Sequence, residues 1–119
     1  MDALDFVFAN ETATKTLSAG LGGYIAGIVI NHHAGTPTLT VKIQAKCATQ
    51  DDIIESTCYS KSSPADGILQ PFQRMQTTAG ADNSGAGEFT KFVIPAGSTI
   101  EASSSANLTA DVTLVIEKA

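Results

Sequence analysis

The sequence predicts an all-β protein: an antiparallel β-sandwich of about eight strands, jelly-roll-like in arrangement. Two segments far apart in the chain carry that prediction. Over residues 38–47, Leu39, Val41 and Ile43 alternate with Thr38, Thr40, Lys42 and Gln44. Over residues 107–118, Leu108, Ala110, Val112, Leu114 and Ile116 alternate with Thr109, Asp111, Thr113 and Glu117. Successive side chains leave a strand on opposite faces, so a period of two marks a half-buried strand. The third observation is negative: no segment carries a helical apolar stripe, and the abundant Thr, Ser, Ala and Gly suit short strands joined by turns. Leu39, Val41, Ile43, Val112 and Leu114 are therefore expected in the core.

The elements follow in order. Residues 4–9 read as the first strand and 13–17 as a weaker second. Residues 18–23 form a turn rich in glycine. Residues 24–32 are the third strand, apolar on both faces: Tyr24, Ala26, Ile28 and Ile30 against Ile25 and Val29. A strand apolar on both sides is central or lies in an interface. After a turn at 34–37 comes the strand 38–47, then a hairpin arm at 53–59. Residues 60–67 carry turn chemistry. Residues 68–77 are a sixth strand interrupted by Pro71, which marks an edge or bulge. Residues 78–87 are read as a loop, mobile over 80–87. Residues 88–94 form a seventh strand, residues 99–102 continue the ladder, and residues 107–118 contain the eighth. The first and last strands are expected side by side in one sheet.

The chain has 119 residues, the size of a single domain spanning 1–119. Scaling predicts a folded surface of about 6,000 Å² against about 18,000 Å² for the unfolded chain, enough burial for a core without staples. With no Trp, five Phe and two Tyr, aliphatic residues must fill that core. The formal charge is −5, and the seven bases are scattered singly. Nothing clusters to displace counterions from phosphates, which argues against nucleic acid as a partner, and equally against an anionic membrane. The start, Met1-Asp2-Ala3-Leu4-Asp5, is acidic where a signal peptide needs a basic region, so synthesis in a cytoplasm is expected. Charged residues are only 16% of the chain. Such a surface of hydroxyls and small apolar groups suits a protein covered by partners, or equally a Thr/Ser-coated β-protein with nothing bound.

Catalytic vocabulary is sparse. Cys47 and Cys58 are the two cysteines. If 38–47 and 53–60 form a hairpin, the thiols could oppose each other at disulfide separation and close a loop worth about 3 kcal/mol. Buried free thiols are the other reading, and reduced thiols are what a cytoplasm favours. His32 and His33 are adjacent, so on a strand they point to opposite faces, and no C-x-x-C accompanies them; zinc is not expected. Asp51-Asp52 lacks the repeated acids of a calcium loop. No G-x-S-x-G elbow occurs, and Gly20-Leu21-Gly22-Gly23 lacks the Lys and helix of a phosphate loop. Neither a cofactor nor a metal is expected, and no chemistry.

Residues 22–30 (GGYIAGIVI), the strand Gly35-Thr36-Pro37-Thr38-Leu39-Thr40-Val41 and the turn Ile94-Pro95-Ala96-Gly97-Ser98-Thr99 are patterned like known proteins. Together they resemble small jelly-roll capsid decoration (cement) proteins of tailed bacteriophages. The resemblance covers roughly half of the chain and carries no individual site residue. It implies a structural virion protein, a homo-oligomer (dimer or trimer) on the capsid exterior that bridges major capsid protein subunits. Candidate interface residues are then Tyr24, Ile25 and Val29 of the doubly apolar strand, with Leu4, Phe6 and Phe8 of a possible N-terminal arm over 1–8. Two alternatives stand beside it. A glycan- or receptor-binding module of a spike or fibre would need exposed aromatic residues. A cupin-type enzyme would need a cluster of metal ligands.

Overall fold

The computed structural model describes residues 2–46, 53–74 and 89–118. The anticipated mobile stretch at 80–87, Cys47 and the Asp51-Asp52 pair lie outside the described residues. The chain is all-β. Its strands are β1 (Asp2–Glu11), β2 (Thr14–Ser18), β3 (Gly23–Ala34), β4 (Thr38–Lys46), β5 (Ile53–Ser62), β6 (Gly67–Leu69), β7 (Phe72–Arg74), β8 (Phe89–Lys91), β9 (Val93–Ile94), β10 (Thr99–Ser104) and β11 (Leu108–Glu117). One sheet, here sheet A, runs β1-β11-β3-β6, with β9 also pairing β3. The other, sheet B, runs β2-β10-β4-β5, and β7 pairs β8 in a separate hairpin.

The order has a simple logic. Apart from the β6–β9 region, successive long strands alternate between the two sheets or fold back as a hairpin, and every pairing among the described strands is antiparallel. The result is the double-sheet strand order of a jelly roll. Chain ends meet as expected: β1 pairs β11 from Asp2↔Ile116 to Ala9↔Thr109. Eleven strands are described rather than eight because residues 67–74 and 89–94 hold four short strands where two were expected, and residues 99–104 form a strand of their own, β10. Pro71 separates β6 from β7, since a proline cannot donate into a ladder.

The core lies between the sheets. Leu39, Val41, Ile43, Val112 and Leu114 are all buried, as the alternation demands. Phe6, Phe8, Ile25, Ile28, Ile100, Leu108 and Ile116 join them. Cys58 reaches the same cluster from a bulge, where the register of β4 and β5 shifts between Val41 and Lys42.

Strand β3 is central, as its apolar sequence requires, but its phase differs from a simple alternation. Val115 pairs Gly27 and Ile116 pairs Ile25, leaving Ala26 as an extra residue. One inserted residue flips the faces on either side of it. Ile25, Ile28 and Ile30 therefore all turn inward, while Tyr24 and Val29 turn outward. The strand also starts with its backbone held tightly. A Cβ on Gly23 would lie 2.1 Å from the Glu117 carbonyl oxygen, and Gly23 sits at φ +140°, so only glycine fits.

Candidate interaction surfaces

A sandwich presents two outer faces, four sheet edges and its loop ends. The outer face of sheet B is a largely polar lattice, laid out by register, with Ile53 exposed on it at the end of β5. Across the strands in the order β2, β10, β4 and β5, one row reads Ser18, Thr99, Gln44 and Glu55. The next reads Thr16, Glu101, Lys42 and Thr57, and the next Thr14, Ser103, Thr40 and Ser60. Many of these groups satisfy one another. Gln44 Nε2 donates to Glu55 Oε2 at 3.0 Å and to Glu101 Oε2 at 2.7 Å. Thr99 Oγ1 donates to Gln44 Oε1 at 3.1 Å. Hydroxyl pairs Thr40–Ser60 and Thr38–Ser62 cross β4 and β5 at 3.3 and 2.9 Å.

The outer face of sheet A differs. Its outward positions on β1 are Ala3, Asp5, Val7 and Ala9; on β11, Val115 stands among Thr109, Asp111, Thr113 and Glu117. Thr113 pairs Val29, which pairs Ile68; Glu117 pairs Tyr24, which pairs Val93. Ile68 is 83% exposed, Val7 54% and Val93 49%. Beside Tyr24 the β7–β8 hairpin forms a cleft of about 520 Å³, lined by Tyr24, Phe72, Phe89, Thr90, Lys91 and Glu117. The rings of Phe72 and Phe89 lie 6.5 Å apart and tilted, and Lys91 pairs with Glu117.

The residues singled out from sequence are distributed unevenly over these surfaces. Tyr24 and Val29 are on the outer face of sheet A, and Leu4 is half-buried at its edge. Phe6, Phe8 and Ile25 are not surface residues at all: they are 1%, 1% and 0% exposed inside the sandwich. Nor do residues 2–8 of the expected arm hang free, because β1 is laddered to β11 from Asp2 onward. The reason is the same alternation that marks the other strands: Leu4, Phe6 and Phe8 share a face, and that face closes the core.

Cys58 Sγ donates to the Val41 carbonyl at 3.3 Å, and burial pushes its thiol up to about 12. Its place in the register is beside Val41 and Lys42, whereas the end of β4, Lys46, stands opposite Ile53. The hairpin therefore sets Cys58 well away from the end of β4, not opposite it; Cys47 itself lies outside the described residues. The histidines part company as expected of neighbours on a strand. His32 Nε2 donates to the Gly35 carbonyl at 2.6 Å, while His33 Nε2 lies 3.8 Å from Asp111. No group of three or more metal-ligating side chains occurs among the described residues. No helix is long and apolar enough to cross a membrane.

The exposed Ile68, Phe72, Phe89 and Val93 were not singled out by sequence. The available signal was Pro71, which breaks a strand that would otherwise alternate. Comparison of the chain with protein families, curated proteins and solved structures finds no match to any of them.

Proposed function

We propose that this protein is a structural, non-catalytic jelly roll that binds as a homo-oligomer to the exterior of an assembled phage capsid and bridges major capsid protein subunits. The observation that supports this most is the contrast between the two outer faces. The outer face of sheet B is mostly hydroxyls and charges that satisfy one another, with Ile53 exposed at the end of β5. Sheet A exposes Val7, Tyr24, Val29, Ile68 and Val93 on one side. Val29 pairs with Ile68 and Tyr24 with Val93, and exposed apolar side chains grouped in this way are candidates for an interaction site. The partner comes from the resemblance in residues 22–30, 35–41 and 94–99; the surface supplies the means of attachment. Symmetry then multiplies modest contacts, since an oligomer held at one subunit is at high effective concentration for the next. The test is to mix the protein with tailed-phage capsids assembled without a decoration protein and to sediment the mixture. Co-sedimentation at a stoichiometry fixed by the lattice is expected, and a protein left entirely in the supernatant would rule the reading out.

A second reading is favoured by one observation. A glycan-binding module requires exposed aromatic rings beside polar groups, and the cleft places Tyr24, Phe72 and Phe89 next to Thr90, Lys91 and Glu117. A pyranose could stack on a ring while its hydroxyls bond the ion pair. Titration with a panel of oligosaccharides tests it. Saturable binding abolished by Tyr24→Ala would favour this reading over the capsid one.

A further inference from the structure

The four sheet edges are not equivalent. An exposed edge offers unpaired amides and carbonyls to any passing strand, and proteins block edges with inward-pointing lysines, bulges or brevity. Three of the four are blocked here. On β2, Lys15 stands opposite Ala102, hence on the core side, and lies 5.8 Å over the Phe8 ring. On β5, the bulge at Cys58 breaks the ladder, and Lys61 stands opposite the buried Leu39. The far edge of sheet A is made of β6 and β9, three and two residues long. Among the described residues, strand β1 carries such devices only at its ends: Asp2 stands opposite the buried Ile116, and a bulge falls at Asn10. It runs without a register shift from Asp2 to Ala9, before that bulge.

We propose that β1 is a self-pairing edge: a second copy of this chain adds its own β1 antiparallel across a twofold axis, joining the two A sheets into one. This rests on the assembly reading for the expectation that copies associate, and names the edge through which they do. The backbone faces the right way. The Ala9 amide donates to Glu11 Oε1, off the ladder. Backbone groups alternate sides along a strand, so those of Ala3, Asp5 and Val7 also face the open side. Side chains then choose the register. Pairing Phe6 with the second copy's Phe6 sets Ala3 opposite Ala9 and Asp5 opposite Val7 on the outer face. On the inner face it sets the half-buried Leu4 opposite Phe8. The register two residues shorter would place Asp5 directly against Asp5 of the second copy, and like charges so opposed are unfavourable. The favoured register also makes more backbone pairs.

The test uses the full chain with Cys47→Ser, so that added thiols report alone while the buried Cys58 stays in place. The double variant Ala3→Cys/Ala9→Cys is oxidised mildly, and the products are separated without reductant. Directly opposed strand residues sit at the Cα separation a disulfide requires. Covalent dimers are expected from this pair and not from Ala3→Cys/Val7→Cys, which matches the excluded register. Sedimentation equilibrium of the unmodified chain and of Val7→Pro is the second arm. The proline removes an amide facing the open edge, which a lone copy tolerates. A dimer dissociation constant raised about tenfold or more by Val7→Pro, with unchanged circular dichroism, is expected. A chain that stays monomeric at millimolar concentration, or a dimer unaffected by Val7→Pro with no cross-link at 3/9, overturns the proposal. Capsid co-sedimentation of Val7→Pro separates the two readings: a monomer that still binds capsids removes the edge and leaves the capsid reading standing.

Discussion

The two sheets bury the same kinds of side chain between them and present opposite faces to the outside. On sheet B, β4 alternates Leu39, Val41 and Ile43 inward with Thr38, Thr40, Lys42 and Gln44 outward. On sheet A, β11 alternates just as cleanly, but the other strands of that sheet, β1, β3, β6 and β9, send Val7, Val29, Ile68 and Val93 outward. Leaving apolar surface in water costs about 25 cal/mol per Å² relative to burying it. Sheet B carries less of that cost on its outer face, where Ile53 at the end of β5 is the exposed apolar side chain, than sheet A does. The difference teaches that the fold alone does not require a broadly apolar exterior: the same chain builds a mostly polar one on its other side. Edge protection follows a related pattern, since both edges of sheet B carry an inward lysine and the long edge of sheet A carries none.

The largest expected effect tests the face assignment on a single strand. Leu114 is fully buried, and Leu114→Ala should cost about 2–5 kcal/mol in urea unfolding. Its neighbour Val115 points outward from sheet A, and Val115→Ala should cost under about 1 kcal/mol. Equal losses at the two positions would break the distinction between inside and outside on which the comparison stands.

A smaller effect concerns the one described thiol. Burial raises the Cys58 pKa to about 12 from an ordinary 9.0. A raised pKa means the folded state holds its proton while the unfolded chain releases it. The stabilisation is therefore complete below about pH 9 and declines as pH rises toward 12. Urea unfolding should show that decline, and Cys58→Ala should flatten it. The native thiol should also resist iodoacetamide near pH 8, because the thiolate is the reactive form.

Smaller still are the surface changes. Ile68→Asp should alter stability by no more than about 0.5 kcal/mol, because 83% of the residue is already exposed. On sheet B, Thr40→Val removes the hydroxyl bond to Ser60 and should cost a similar amount. A loss at Ile68 comparable to that at Leu114 would show that it packs inside, and would shrink the apolar face.

Much of this fold is legible in the sequence, and the parts that are not fail for identifiable reasons. Strands β4 and β11 alternate without interruption, so their inward residues can be named directly. In β3 the bulge at Ala26 adds a residue that sequence does not mark, and the phase of Ile25 reverses. The first strand reads as an arm because terminal apolar residues look alike whether they reach for a partner or close their own core. Phe6 and Phe8 do the second. Among the described residues 67–74 and 89–94 the strands are two or three residues long, too short for periodicity to register. The outer faces depend on which strands become neighbours, and the lattice centred on Gln44 joins residues 11 and 57 positions apart in sequence. No local pattern announces it.

The central claim is that sheet A, and not sheet B, is the contact face. It is tested most directly by comparing two double variants for binding to decoration-free capsids. Val29→Asp/Ile68→Asp places charge on sheet A, and Thr40→Asp/Thr57→Asp places equal charge on sheet B. Both pairs alter net charge equally, so a general electrostatic effect cancels. The account predicts that the sheet A pair weakens co-sedimentation by about tenfold or more while the sheet B pair binds like the unmodified chain. Binding lost through the sheet B pair and retained by the sheet A pair would contradict it.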